Sequence, residues 1–94
     1  MNRPQAIPTQ QILNDRVIVT EWRFPPGAET GWHRHGYDYV VVPMTHGELL
    51  LETPEGNRTA PLVPGQSYTR QIGVEHNVIN NTSHEVVFVE IELR

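Results

Sequence analysis

Short apolar alternations cut by Gly, Pro and Asn run from residue 16 to the end of the chain. No window repeats apolar residues at i, i+3, i+4 and i+7 over successive turns, so helix is not expected. Arg16–Phe24 places Val17, Val19, Glu21 and Arg23 on one face and Ile18, Thr20, Trp22 and Phe24 on the other. It stops at the turn signal Pro25-Pro26-Gly27. Further strands are predicted over Glu29–His35, Tyr37–Pro43, Glu48–Thr53, Arg58–Val63, Ser67–Gln71, His76–Asn80 and Val86–Leu93. In the last of these, Val87, Val89, Ile91 and Leu93 alternate with Phe88, Glu90 and Glu92, and the two acids are expected on the solvent face. Roughly eight or nine short strands predict an all-β, single-domain antiparallel β-barrel or double-sheet jelly roll, whose closure removes exposed edges.

Residues 16–94 are expected to form this barrel. Residues 1–15, with two Pro and three Gln, read as an N-terminal arm, either frayed or exchanged with a second copy. A chain of 94 residues with 37% hydrophobics has a thin core and gains from dimer contacts, so a homodimer is expected.

Composition removes several chemistries. The chain has no Cys, which excludes disulfides, thiolate ligands and Cys nucleophiles. All seven basic residues are Arg, which excludes a Schiff-base or P-loop lysine. A net charge of −4 argues against nucleic-acid and membrane partners. No apolar run approaches a membrane span and the N-terminus lacks a signal-peptide core, so a cytoplasmic protein is expected.

Five His are present. His46, in Thr45-His46-Gly47, and His84, in a polar loop, read as solvated. His33 and His35 differ: positions i and i+2 of a strand project to one face. With His76 they can converge inside a barrel as three neutral imidazoles, a donor set for a first-row divalent transition metal. Gly27 and Gly73 supply the turns, and the Asn80 amide is placed to hold a turn or a group beside the ligands.

The order and spacing of these residues resemble the cupin superfamily. Its first motif, G-x5-H-x-H-x3/4-E-x6-G, is matched by Gly27-AETGW-His33-Arg34-His35-GYDYVVVPMTH-Gly47. Its second, G-x5-P-x-G-x2-H-x3-N, is matched by Gly65-QSYTR-Gln71-Ile72-Gly73-VE-His76-NVI-Asn80. The stretch HRHGYDYVVVP further resembles very small bacterial cupins associated with β-alanine breakdown. The resemblance implies a metal held inside the barrel, often in a homodimer.

Two positions depart from the motifs. Gln71 replaces the proline, and the metal-binding Glu is absent, its place falling on Tyr39 or Val40. Tyr39 shares parity with His33 and His35; Asp38 has the wrong parity unless a bulge intervenes, and Glu75 points opposite to His76. A three-His site, His33, His35 and His76, is therefore expected, without a carboxylate ligand.

Such a triad leaves the ion's charge unneutralised and favours a small anionic, chelating substrate. Cupins with three-His iron sites include diketone and thiol dioxygenases, so the resemblance implies a dioxygenase-type enzyme with Fe(II) favoured and Zn, Ni, Mn or Cu also accommodated. Tyr39 is the candidate hydrogen-bond donor to substrate, and Arg70 the candidate clamp for a carboxylate, both in catalytic roles. Trp22, Trp32, Phe24 and Phe88 are candidates for the pocket wall. The alternatives are a non-catalytic ligand-binding or sensor cupin, and a Zn, Ni or Mn Lewis-acid isomerase or lyase.

Overall fold

A computed structural model describes residues 3–94. Its strands are β1 (Ile7–Leu13), β2 (Val17–Phe24), β3 (His33–Arg34), β4 (Asp38–Pro43), β5 (Gly47–Thr53), β6 (Gly56–Leu62), β7 (Tyr68–Arg70), β8 (Glu75–Asn80) and β9 (Val86–Leu93). They form a five-stranded sheet, β1-β2-β9-β4-β7, and a four-stranded sheet, β3-β8-β5-β6. The strand pairs are antiparallel. No helix of the described residues is long and apolar enough to cross a membrane.

This is the double-sheet form of the expected all-β fold. The sheets are not hydrogen-bonded into a closed cylinder, which corrects the expectation that closure removes the edges. Of the four edge strands, β3 with two residues and β7 with three are too short to offer much free edge, whereas β1 and β6, with seven each, leave theirs open.

The pleat puts Phe24 of β2, Phe88 of β9, and Tyr39 and Val41 of β4 into one buried cluster with Leu49, Ala60, Leu62 and Val78 of the other sheet. Phe24 and Phe88 stack at 5.5 Å between ring centroids. Each fully buried side chain of this size contributes about 1.5–3 kcal/mol. Gly47 is required at the start of β5, because a Cβ there would sit 2.8 Å from Val86 Cγ2. Gly27 turns at φ 78°, and its N–H donates to the Asn80 carbonyl at 2.9 Å.

One expectation changes. The strand predicted over Glu29–His35 shrinks to β3, with two isolated bridges at Glu29, to Gln5 and Ile79, because Gly31 adopts φ 89° and breaks the extended run. The N-terminal segment carries β1, which pairs with β2, and in the turn between them the Asn14 side chain accepts from the Arg16 and Val17 N–H groups at 2.8 and 3.0 Å. All seven β1 residues remain exposed.

Candidate metal centre

The four-stranded sheet supplies two of the three imidazoles. His33 of β3 stands directly opposite His76 of β8 in the ladder. His35 follows β3, held by its N–H donating to the Val74 carbonyl and its carbonyl accepting from the Gly73 N–H, both at 2.9 Å. The segment before β3 is fixed from β8: Asn77 Oδ1 accepts from the Gly31 N–H at 2.9 Å, and its Nδ2 donates to Glu29 and Glu52, both at 2.8 Å. The buried amide of Asn77 thus anchors the loop that delivers His33.

The ring nitrogens converge. His33 Nε2 lies 3.0 Å from His35 Nε2, which lies 3.1 Å from His76 Nε2. Hydrogen bonding does not explain this arrangement, because one imidazole nitrogen offers either one N–H or one lone pair and cannot serve two neighbours well. Two imidazoles at right angles around one ion, each about 2.1 Å from it, would have nitrogens about 3 Å apart. His33 Nδ1 is 2.9 Å from the Gly31 carbonyl, a partner for a proton there that leaves Nε2 as the free lone pair. Burial lowers the pKa of His35 to about 3 and of His76 to about 4, with the neighbouring His33 adding to both shifts. Both rings are therefore neutral at physiological pH. The donor set fits a divalent transition ion.

Around the triad is a cavity of about 330 Å³. The five-stranded sheet forms its opposite wall with Trp22, Tyr39, Val41, Tyr68, Arg70, Glu90 and Glu92. Tyr39 is buried, and its ring stacks on His35 at 3.9 Å and 22°. Burial and the nearby Glu90 raise its pKa well above that of a free phenol, so its hydroxyl keeps its proton. The Arg70 guanidinium lies 4.6 Å over the Tyr68 ring, and one of its nitrogens donates to the Thr69 carbonyl at 3.1 Å.

Glu90 and Glu92 lie on the inner face, correcting their expected place in solvent. Glu90 is only 9% exposed. Burial raises its pKa to about 7, with Glu92 adding to the rise and the Trp22 indole opposing it. Glu92 is raised as well, again by burial. The Trp22 Nε1–H is buried without a hydrogen-bond partner of good geometry.

Other candidates fall elsewhere. Asp38 is exposed and accepts from the Ile72 N–H at 2.7 Å, and Glu75 accepts from Trp32 Nε1 at 2.7 Å. Trp32 is 52% exposed, while Phe24 and Phe88 belong to the core below the cavity; only Trp22 of the four aromatics lines it. His46 and His84 are exposed, joined by a 2.9 Å contact from His84 Nε2 to the His46 carbonyl. The sequence reading missed Glu90, Glu92 and Asn77. For the acids a signal existed, since both share the strand face of the aromatic Phe88.

The sequence model of the cupin domain family matches residues 20–92. The chain is 73% identical over 92 residues to a Pseudomonas aeruginosa protein named Beta-alanine degradation protein BauB, covering 98% of this chain and 97% of that one. It is 71% identical to the crystal structure of a cupin domain from Bordetella pertussis Tohama I, with a TM-score of 0.98, covering 100% of this chain and 98% of that chain. The polyketide cyclase RemF from Streptomyces resistomycificus has a TM-score of 0.74 at 20% identity, covering 99% of this chain and 70% of that one, and shares the fold alone.

Proposed function

The chain belongs to the cupin family, and on that footing we propose that it is a metal-dependent enzyme of dioxygenase type acting on a small anionic, chelating organic substrate. The observation that carries this reading is the approach of three Nε2 atoms at 3.0 and 3.1 Å beside a cavity large enough for a small molecule. His33, His35 and His76 would hold the ion, with Fe(II) favoured. An ion held there would supply Lewis-acid and redox chemistry to a chelating substrate and O₂.

The chain's own groups orient the substrate. Arg70 presents a guanidinium fork to a carboxylate, pre-ordered by its packing on Tyr68. Tyr39 keeps its phenolic proton and donates it in a hydrogen bond to the substrate. The Trp22 N–H, beside Glu90 and without a partner of good geometry among the described residues, is a second donor in the same wall. Val41, Leu49, Leu51 and Val78 exclude water from the remaining surface. The BauB likeness supports a role in β-alanine breakdown, which adds β-alanine and related three-carbon carboxylates to the substrates worth testing. A cytoplasmic setting suits the reading, because that compartment keeps thiol substrates reduced.

A homodimer belongs to this proposal. The outer face of the five-stranded sheet carries Val40 beside Ile91 and Val42 beside Val89 in the β4–β9 ladder, a half-buried apolar patch suited to a second copy. The exposed β1 is the segment such a dimer would cover or exchange.

The experiment is elemental analysis of protein from metal-supplemented cells, followed by O₂ electrode measurements with diketones, thiol-carboxylates and β-alanine. Iron together with substrate-dependent O₂ uptake is expected. Zn or Ni with turnover but no O₂ uptake would replace the dioxygenase with a Lewis-acid isomerase or lyase. Thermal stabilisation by a compound that is never turned over would replace it with a binding or sensor role.

A further inference from the structure

Tyr39 stands where the first cupin motif places its carboxylate, and the ladder gives it two neighbours on the inner face: Glu92 of β9 and Arg70 of β7. Adjacent strands are about 4.8 Å apart, a gap that a glutamate side chain spans. The carboxylates of Glu90 and Glu92 and a ring nitrogen of His35 all lie within 4.8 Å of one another. His35 is also the middle member of the imidazole triad, and it alone is common to the two clusters.

Neither carboxylate forms an ion pair with an arginine of the described residues. Among the described residues, the ion pairs are those of Arg23 with Glu21 and Glu85, remote in the ladder from Glu92. Holding one buried and one half-buried acid beside three imidazoles is costly unless a cation joins them. Glu92 is the better placed, because it faces Tyr39, whereas Glu90 faces Val41, two residues further along β4.

We propose that Glu92 supplies the carboxylate ligand that Tyr39 displaces from β4, its half-buried side chain turning from His35 towards His33 and His76 so that the ion is held by His33, His35, His76 and Glu92. The motif's charge has moved one strand sideways rather than disappeared. The inference rests on the three-His reading and adds a donor to it. One charge of the ion is then neutralised by the protein, which shifts the fitting chelate from a dianion towards a monoanion.

The test uses the full chain loaded with Co(II), with affinity read by chelator competition and coordination by the visible absorption of the bound ion. Glu92→Gln is expected to weaken Co(II) binding at least about tenfold and to alter the spectrum. Glu90→Gln serves as the control: a purely electrostatic role would weaken both variants alike, whereas ligation singles out Glu92. Adding Tyr39→Glu to Glu92→Gln is expected to recover affinity by returning the carboxylate to β4. Thermal melts of the metal-free variants report whether each is folded. Wild-type affinity and spectrum in folded Glu92→Gln, with binding abolished in His76→Ala, would overturn this proposal and leave the three-His site standing. Failure of the wild-type chain to bind Co(II) would overturn both.

Discussion

The Tyr39 ring lies flat on the His35 imidazole, with centroids 3.9 Å apart and planes 22° from parallel. His35 lies just outside β3, and Tyr39 is on a strand flanked by β9 and β7. The more rigid residue therefore fixes the ring plane of the less rigid one. Ring and hydroxyl have separable duties, which a pair of substitutions can divide.

Tyr39→Phe keeps the stack and removes the hydroxyl. Metal content is expected to match wild type, while turnover falls at least about tenfold. Tyr39→Leu removes the stack, and metal affinity is expected to fall as well. Equal metal loss in both variants would make the hydroxyl itself a ligand.

His76→Ala is expected to remove most of the bound metal by elemental analysis while the far-ultraviolet circular dichroism stays that of a β protein. His76 is the ladder partner of His33, and backbone pairing of β3 with β8 does not depend on the imidazole. Full metal occupancy in this variant would end the three-His assignment.

The buried ionisable groups give the metal-free protein a definite pH dependence. His35 and His76 titrate near 3 and 4 when folded, against about 6.5 when unfolded. As pH falls below about 6.5, the unfolded chain takes up protons that the folded chain refuses, so both residues destabilise the fold. Glu90 acts in the opposite sense. Its folded pKa of about 7 lies above the ordinary 4.5, so its contribution is present below pH 4.5 and is lost as pH rises to 7. Glu90→Gln is therefore expected to stabilise the chelator-treated protein at pH 8 relative to wild type, by roughly 1–3 kcal/mol, and to change little at pH 4.5. Urea melts at the two pH values check this, and a gain of equal size at both would refute it.

Arg70→Met is expected to raise KM for a carboxylate substrate at least about tenfold while leaving KM for its neutral amide analogue close to wild type. Methionine retains hydrophobic bulk over Tyr68 and loses only the fork. Equal effects on both substrates would assign Arg70 to holding Tyr68 rather than to binding.

The strand pattern was legible because Pro, Gly and Asn punctuate this chain at nearly every turn, and the His spacing was legible because a strand repeats its facing every two residues. The limits of that rule appear at β9. Val87, Val89 and Ile91 look like a core face, and Glu90 and Glu92 like a wet one, yet the pleat runs the other way. A polar cavity and an apolar outer sheet face invert the usual correspondence between hydrophobicity and interior, and alternation alone cannot give the sign. The shortening of β3 has a different origin. A single φ of 89° at Gly31 ends the extended run, and the Asn77 amide that fixes the loop comes from a strand 46 positions away.

Asn80 offers the sharpest test of how the second motif holds the fold. It is completely buried, and its Nδ2 donates to the carbonyls of Phe24 at 3.0 Å and His84 at 2.8 Å, while its Oδ1 accepts from the Thr82 N–H at 3.0 Å. One amide thus ties the end of β2 to the turn between β8 and β9, far from the imidazoles in role. Asn80→Ala leaves buried backbone groups without partners and is expected to cost about 2–4 kcal/mol in urea unfolding. Asn80→Asp keeps the acceptor but removes the donors, so it should be no better than alanine at neutral pH. Co(II) affinity of folded Asn80→Ala is expected to stay within a few-fold of wild type, since the residue acts on the turn. A stable variant that had lost its metal would instead make Asn80 a support of the metal ligands.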